Sequence, residues 1–283
     1  MTLQIIRTVE DLRAATSALR REGKVIGMVP TMGALHDGHL SLVRAAQEHC
    51  DAVVVSIFVN PTQFNDPADL EKYPRTEDTD IAMLKPLGVD IVYAPNAKEM
   101  YATGFATNVS VSGISDGLCG ATRPGHFDGV ATVVTKLLLQ AMPDKAFFGE
   151  KDFQQLAVIR RFVADLNIPV VIKGCPTQRE NDGLAMSSRN TRLSERERKI
   201  APQLFQTLKR VAAEIESGAD VKVSIQEAGA SLIETGFAKV DYLELRASDD
   251  LTPLDQIDRP ARLFVAAFLG DVRLIDNVEV SVR

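Results

Sequence analysis

Two histidines, His36 and His39, lie three residues apart just after an apolar run that is typical of a buried strand. Gly33, in the turn between them and the strand, lets the backbone approach a ligand closely. Asp37 is suited to cap a helix that begins near Gly38, and the amides and dipole at such a helix start favour an anion. Since side chains three apart share a helix face, the two imidazoles are predicted to stabilise charge at a reacting phosphorus atom.

A helix cap with one solvated and one packed histidine explains the same spacing. For an arbitrary His-x-x-His that explanation is preferable. Here the strand and the glycine turn that precede the pair favour a functional site.

Two carboxamides, Asn60 and Gln63, follow a second apolar run in the segment F-V-N-P-T-Q-F. A carboxamide donates and accepts hydrogen bonds at the same time, without charge. The pair is therefore predicted to orient a substrate. Ordinary Asn-Pro turn chemistry explains Asn60 equally well, but it explains Gln63 poorly.

A third polar segment, F-G-E-K-D-F-Q-Q-L, follows another apolar run and contains Gly149 and Glu150. Lys151 can neutralise phosphate charge, and Asp152 can accept hydrogen bonds from ribose hydroxyls. Gln155 lies one helical turn after Lys151 and is predicted to face the same side. An exposed charged loop with Asp152 as a helix cap is the alternative.

A fourth segment, G-L-A-M-S-S-R-N, places two hydroxyls beside a guanidinium. Ser187, Ser188 and Arg189 can bind the outer phosphates of a nucleoside triphosphate. By itself the segment indicates a serine-rich loop before a helix. The phosphate-binding interpretation depends on the other three segments.

Alternating strand-like and helix-like segments position these residues. Apolar runs lie at Val25–Val29, Ala52–Val59, Asp90–Tyr93, Lys145–Phe148 and Pro169–Lys173, and helix-period segments lie at Leu40–His49, Thr76–Leu87, Val130–Met142 and Phe153–Leu166. This alternation predicts an α/β fold with a Rossmann-like doubly wound parallel sheet over residues 1–175. The polar segments then follow strand carboxyl ends, where such sheets bind ligands.

Residues 176–283 are predicted to form a second, smaller α+β domain. A charged amphipathic helix is expected from the Ser194 cap, with Glu197 in a capping box, to about Ser217. A helix at Ser224–Thr235 and strands at Lys239–Arg246, Arg262–Leu269 and Val272–Val280 follow.

Composition excludes several classes of protein. The 283 residues are 45% hydrophobic and 25% charged, as in a globular protein. A net charge of −6 gives no basic face for nucleic acid. No signal-like N-terminus or membrane-length apolar run occurs, and three cysteines without C-x-x-C spacing indicate neither a disulfide framework nor a thiol zinc site. A cytoplasmic protein without membrane or nucleic-acid partners is expected.

Together the four segments and R-P-G-H-F-D-G-V, in uninterrupted order over residues 1–195, resemble the pantoate–β-alanine ligase (pantothenate synthetase) family. His36–His39 is similar to the HIGH signature of the wider nucleotidyl-transferring superfamily, and Met186–Arg189 resembles its KMSKS counterpart. The resemblance implies that ATP activates (R)-pantoate as pantoyl adenylate, releasing pyrophosphate, and that β-alanine then displaces AMP. It also implies ATP with Mg²⁺ as substrate, no protein metal ligand, a homodimer, and a lid role for residues 176–283.

The resemblance also implies residue roles. His39, His36 and Lys151 are the implied catalytic residues. The implied ATP-binding residues are Met32, Gly33, Ala34, Leu35, His36, Asp37, Gly38, His39, Gly149, Glu150, Lys151, Asp152, Gln178, Met186, Ser187, Ser188 and Arg189. The implied pantoate-binding residues are Gln63, Gln155, Asn60 and Met32, and Gln63 also borders β-alanine.

Three other functions share part of this pattern. A relative that uses CTP or another acid would lack the paired glutamines. A tRNA-charging enzyme would need an RNA-binding surface, which the acidic balance and short length disfavour. A non-catalytic binding protein is expected to have lost a histidine of the pair or Lys151, and none of the three is lost.

Overall fold

A parallel sheet of six strands, in the order β1-β4-β3-β2-β5-β6, organises the first part of residues 3–281, which the computed structural model describes. The strands are β1 (Gln4–Ile6), β2 (Ile26–Thr31), β3 (Ala52–Ile57), β4 (Ile91–Tyr93), β5 (Lys145–Gly149) and β6 (Val171–Cys175). β2 lies between β3 and β5, so the strand order reverses beside it. Such a switch point is where open α/β sheets bind ligands. The predicted Rossmann-like doubly wound sheet is confirmed.

The helices that connect and cover the strands, in chain order, are α1 (Val9–Arg21), α2 (Asp37–His49), α3 (Pro67–Glu71), α4 (Glu77–Leu84), α5 (Ala97–Met100), α6 (Cys119–Thr122), α7 (His126–Ala141), α8 (Phe153–Asp165), α9 (Glu195–Ile200), α10 (Gln203–Glu216) and α11 (Val221–Thr235). All six residues of β3 are buried, as expected for a central parallel strand covered on both faces. Leu40 and Val43 of α2 share a buried cluster with Val29 of β2 and Val55 of β3. This packing fixes the start of α2 beyond the carboxyl end of β2.

Two local expectations are wrong. The strand expected over Val25–Val29 does not end at Val29 but continues through Pro30 to Thr31. In the described residues β2 pairs with β5 over Gly27 and Met28 but with β3 along its whole length, so Pro30 lies at an edge-like position where proline is tolerated. The single helix expected from Ser194 to Ser217 is interrupted at Pro202, whose ring and missing N–H break a helix interior.

A small antiparallel sheet forms the centre of the C-terminal part of the described chain, in the order β7 (Lys239–Ala247), β8 (Ala261–Leu269) and β9 (Val272–Val280). Leu208 and Val211 of α10 and Leu232 of α11 share a buried cluster with Leu263 of β8. The Ser194–Glu197 capping box is present at the start of α9. The predicted smaller α+β arrangement is confirmed.

Internal contacts divide the chain into two units. The first contains Met1–Ser112, Arg123–Glu150 and Val158–Pro176, and the second contains Gly113–Thr122, Lys151–Ala157 and Thr177–Arg283. The expected domain division at residues 175 and 176 stays a prediction. No helix among residues 3–281 combines the length and apolarity that crossing a membrane requires.

Candidate active site

The two histidines cap the start of α2 through their Nδ1 atoms. His36 is the N-cap residue, and its Nδ1 accepts a hydrogen bond from the Gly38 amide at 3.1 Å. His39 Nδ1 accepts one from the His36 amide at 3.3 Å, and the two ring centroids lie 4.1 Å apart. A neutral imidazole that accepts through Nδ1 carries its proton on Nε2. Each ring therefore has an Nε2–H group as its donor.

The expected cap residue, Asp37, is wrong by one position. α2 begins at Asp37, whose carboxylate lies in the first turn, where the helix dipole favours a negative charge. The extended backbone of His36 brings its ring to the Gly38 amide instead. The Gly38 amide is therefore used within the protein, by the cap of its own helix.

The turn between β2 and α2 is held by the buried carboxylate of Asp80 in α4. Its oxygens accept hydrogen bonds from the amides of Ala34 at 3.0 Å and Leu35 at 2.8 Å, and Asp80 is 1% exposed. Gly33 and Ala34 both have left-handed backbone, with φ of 77° and 50°. For Ala34 that conformation carries a steric cost. The two hydrogen bonds to Asp80 hold the turn in this shape.

Asn60, Gln63 and Met32 come together in the first unit. Asn60 Nδ2 donates to Gln63 Oε1 at 3.1 Å, and Gln63 Nε2 lies 3.0 Å from Met32 Sδ. The Asn60 side chain also donates to the Gly129 carbonyl at 3.1 Å and accepts from the Tyr101 hydroxyl at 2.8 Å. With Asn60 1% exposed, this network holds the Gln63 carboxamide beside Met32. Direct contact between Asn60 and pantoate stays a prediction.

Two residues of the R-P-G-H-F segment hold the backbone of Gln63. The Gln63 carbonyl accepts from His126 Nδ1 at 2.8 Å and from the Arg123 guanidinium at 3.2 Å. His126 Nε2 lies 3.1 Å from the same guanidinium. Since arginine always donates, His126 accepts through Nε2 and carries its proton on Nδ1. The sequence alone does not assign these two residues to the site, whereas in the structure both bond to the Gln63 backbone carbonyl.

Lys151 and Asp152 follow Gly149, the last residue of β5, and Glu150 in a single 3₁₀ turn. Lys151 Nζ lies 3.8 Å from Asp152 Oδ2, and the Lys151 side chain is 19% exposed. The two glutamines of α8 differ. Gln154 is buried and bonds to the Cys119 amide and the Gly117 carbonyl, a structural role, whereas Gln155 is half-buried. This difference favours Gln155 as the ligand-binding glutamine.

Gln178 and Met186 are paired across a tight hairpin in the second unit. The Met186 amide donates to the Gln178 carbonyl at 2.9 Å, and an antiparallel bridge joins Arg179 to Ala185. Ser187 follows directly and caps the 3₁₀ turn Ser188–Arg192, its Oγ accepting from the Arg189 amide at 3.3 Å. Met186, predicted to bind ATP, is thus followed directly by the Ser187–Arg189 segment predicted to bind the outer phosphates.

Comparison with known proteins gives the family. The model of the pantoate-beta-alanine ligase family matches residues 4–279. The chain belongs to this family. A curated relative named pantothenate synthetase, from Chelativorans sp. strain BNC1, is 59% identical over 281 residues that cover 99% of each chain.

Solved structures of other members resemble the ligase over nearly its whole length. The crystal structure of pantothenate synthetase from Thermus thermophilus is 46% identical, with a TM-score of 0.91, and covers 98% of this chain and 99% of that one. Pantoate-beta-alanine ligase from Francisella tularensis, complexed with beta-gamma ATP and beta-alanine, is 37% identical, with a TM-score of 0.84 and coverage of 98% and 97%.

Asp80 of the ligase is a site-supporting residue that is absent from the set predicted from the sequence. In α4 the buried residues are Asp80 and Leu84, four apart on one face. A carboxylate on the buried face of a helix needs hydrogen-bond partners. That pattern was a usable signal that Asp80 is bound to other parts of the protein, although it does not identify the turn amides as partners.

Proposed function

We propose that this ligase joins pantoate and β-alanine in two steps through an enzyme-bound pantoyl adenylate. As a member of its family, the chain forms pantothenate from pantoate and β-alanine with ATP. In the first step a pantoate carboxylate oxygen attacks the α-phosphorus of ATP, and the bond to the leaving pyrophosphate breaks. In the second step the β-alanine amine attacks the acyl carbon, the bond to the AMP oxygen breaks, and the amine loses a proton.

The reciprocal cap that holds the His36 and His39 rings side by side at the start of α2 is the observation that carries this proposal. Adenylation moves negative charge onto the phosphate oxygens, and fixed donors stabilise charge that develops in the transition state. His39 and His36 would supply these donors, because their Nδ1 atoms are held by the capping hydrogen bonds. The reciprocal cap also fixes both ring orientations before ATP binds, so little reorganisation is needed during the reaction.

Gln63 would hold pantoate through its hydroxyl and carboxylate and would border β-alanine, with Gln155 as a second pantoate contact. The network that fixes Gln63 supports this role. The Gln63 side chain is held by Asn60 and Met32, and the Gln63 backbone carbonyl is held by His126 and Arg123. A carboxamide held on both sides orients a substrate at low entropic cost.

The proposed nucleotide contacts lie in the segments that follow β2 and β5 and in the hairpin that pairs Gln178 with Met186. Lys151 would neutralise phosphate charge, and Asp152 would accept from the ribose hydroxyls. Ser187, Ser188 and Arg189 would donate to the outer phosphates. The remaining proposed ATP contacts are Met32, Gly33, Ala34, Leu35, Asp37, Gly38, Gly149, Glu150, Gln178 and Met186.

Mg²⁺ would enter with ATP, as is usual for a nucleoside triphosphate. Among residues 3–281 no group of three His, Cys, Asp or Glu side chains is arranged to hold a metal ion, so we assign no protein ligand. We also propose a homodimer, which the family resemblance supports. A cytoplasmic location is favoured by Cys50, Cys119 and Cys175, which are free thiols.

Pyrophosphate release from ATP, Mg²⁺ and (R)-pantoate tests the assigned roles. We expect His39→Ala and Lys151→Ala to slow this release sharply while the circular dichroism spectrum is unchanged. His49→Ala, an exposed histidine at the other end of α2, and Lys173→Ala, an exposed lysine of β6, are matched controls expected to keep the wild-type rate. Wild-type rates in both His39→Ala and Lys151→Ala would overturn the roles.

A further inference from the structure

Two adjacent residues of β9, Asp276 and Asn277, are polar but almost completely buried, at 4% and 3% exposure. Both belong to the second unit. Burying a carboxylate and a carboxamide costs free energy unless both are hydrogen-bonded. The partners of these two side chains therefore show what the strand holds in place.

Asn277 holds the backbone of Lys151. Its Nδ2 donates to the Lys151 carbonyl at 3.0 Å, while its Oδ1 accepts from the Arg262 guanidinium at 2.7 Å. That guanidinium also lies over the ring of Phe153, 4.1 Å from its centroid. The segment that contains Lys151 is thus fixed to β8 and β9 at two points, two residues apart.

Asp276 holds the hairpin that contains Gln178 and Met186. Its two carboxylate oxygens accept from both terminal nitrogens of Arg179, at 2.6 and 2.9 Å. Arg179 also donates to the Gly183 carbonyl at 3.1 Å and stacks on Phe205 at 3.6 Å. A bidentate pair of this kind fixes orientation as well as distance, so it determines where the following Ser187–Arg189 segment lies.

We propose that Asp276 and Asn277 are positioning residues for ATP, by which one strand sets the spacing between Lys151 and the hydroxyl and guanidinium groups of Ser187–Arg189. The inference rests on the proposed phosphate contacts of those residues. Neither Asp276 nor Asn277 is expected to touch substrate. Their effect comes through the main chain of Lys151 and through Arg179. Misplacing a catalytic group by about 1 Å can slow a reaction on the order of 100-fold.

The isosteric variant Asn277→Asp removes the donor to the Lys151 carbonyl while keeping an acceptor for Arg262. Two rates are measured: single-turnover pyrophosphate release with pantoate, and pantothenate formation when β-alanine is added to preformed enzyme-bound adenylate. We expect pyrophosphate release to slow by about 10-fold or more, and the second rate to stay within about twofold, because pyrophosphate has left by then. Asp276→Asn should show the same separation. Glu279→Gln, at an exposed position of β9, should leave both rates unchanged.

A double-variant comparison separates positioning from general damage. In the Lys151→Ala background Asn277→Asp should cause little further loss of adenylation rate, since the amine it positions is gone. Asn277→Ser, which introduces no charge, gives the same test if Asn277→Asp does not fold. Equal loss in both half-reactions, or full additivity with Lys151→Ala, would overturn the positioning role. Failure of the wild-type protein to release pyrophosphate would instead overturn the proposed function.

Discussion

Gly129 in α7 packs against the Pro61–Gln63 turn more closely than any side chain allows. A Cβ atom at this position would lie 2.4 Å from the Thr62 carbonyl oxygen, 2.6 Å from its carbon and 2.8 Å from the Gln63 nitrogen. All three are backbone atoms, so no rotamer change relieves the clash. In Gly129→Ala the turn or the helix must move by about 1 Å to reach ordinary contact.

The size of the effect follows from two opposing terms. Helix propensity alone favours alanine over glycine by about 1 kcal/mol, whereas overpacking costs about 1–3 kcal/mol. The clash is with rigid backbone, so we expect the free energy of unfolding to fall by about 1–2 kcal/mol. Because the displaced turn contains Gln63, kcat/KM for pantoate and β-alanine should fall by about 10- to 100-fold.

Gly229→Ala is the matched control. Gly229 lies inside α11, and a Cβ there would have no described atom within 4 Å apart from its chain neighbours and the nearby backbone of its own helix. Here we expect an increase in stability of up to about 1 kcal/mol, from propensity and the less flexible unfolded chain, with unchanged kinetics. Urea unfolding and steady-state kinetics of both variants test the reasoning. Gly129→Ala with stability and kcat/KM at or above wild type would refute it.

Three further predictions concern single side chains. Asp80→Ala should lower the free energy of unfolding by about 1–3 kcal/mol and weaken ATP binding, since two buried turn amides lose their acceptor; unchanged unfolding and unchanged ATP KM would contradict this. Burial raises the pKa of Asp241, but hydrogen bonds from Arg273 and Lys239 outweigh it and lower this pKa below its ordinary 3.8. The carboxylate therefore stabilises the fold above pH 3.8, and this stabilisation is lost as the pH falls through the lowered pKa. In urea unfolding, Asp241→Asn should have a lower free energy of unfolding than wild type at pH 7. Its free energy of unfolding should also fall less than that of wild type when the pH is lowered. Gln155→Ala should raise KM for pantoate more than for ATP, and equal increases would mean that Gln155 is misassigned.

The sheets could be predicted because their strands are apolar runs bounded by turn residues. β9 was expected over its observed residues, and β3 and β8 nearly so. β1 and α1 were not expected, since β1 has three residues and the buried positions of α1 are just Leu12 and Thr16. The helical spacing of Val9, Leu12 and Leu19 after the Thr8 cap was nevertheless a usable signal for α1.

In the candidate site, the groups that follow from local spacing were predictable, and those that depend on distant partners were not. The His36–His39 pair is confirmed as neighbouring rings, because three-residue spacing at a helix start brings them together. Asp80 binds amides that lie 45 and 46 residues away, and Asn277 binds a carbonyl 126 residues away. Such pairings arise from the fold, and a single sequence has no local signal for them.

The formation of pantoyl adenylate is tested most directly with pantoate labelled with ¹⁸O in its carboxylate. If a carboxylate oxygen attacks the α-phosphorus, that oxygen stays on phosphorus when the β-alanine amine displaces AMP. We predict that the AMP formed with pantothenate contains one ¹⁸O atom and that the pyrophosphate contains none. Unlabelled AMP, or ADP together with labelled phosphate, would contradict the account.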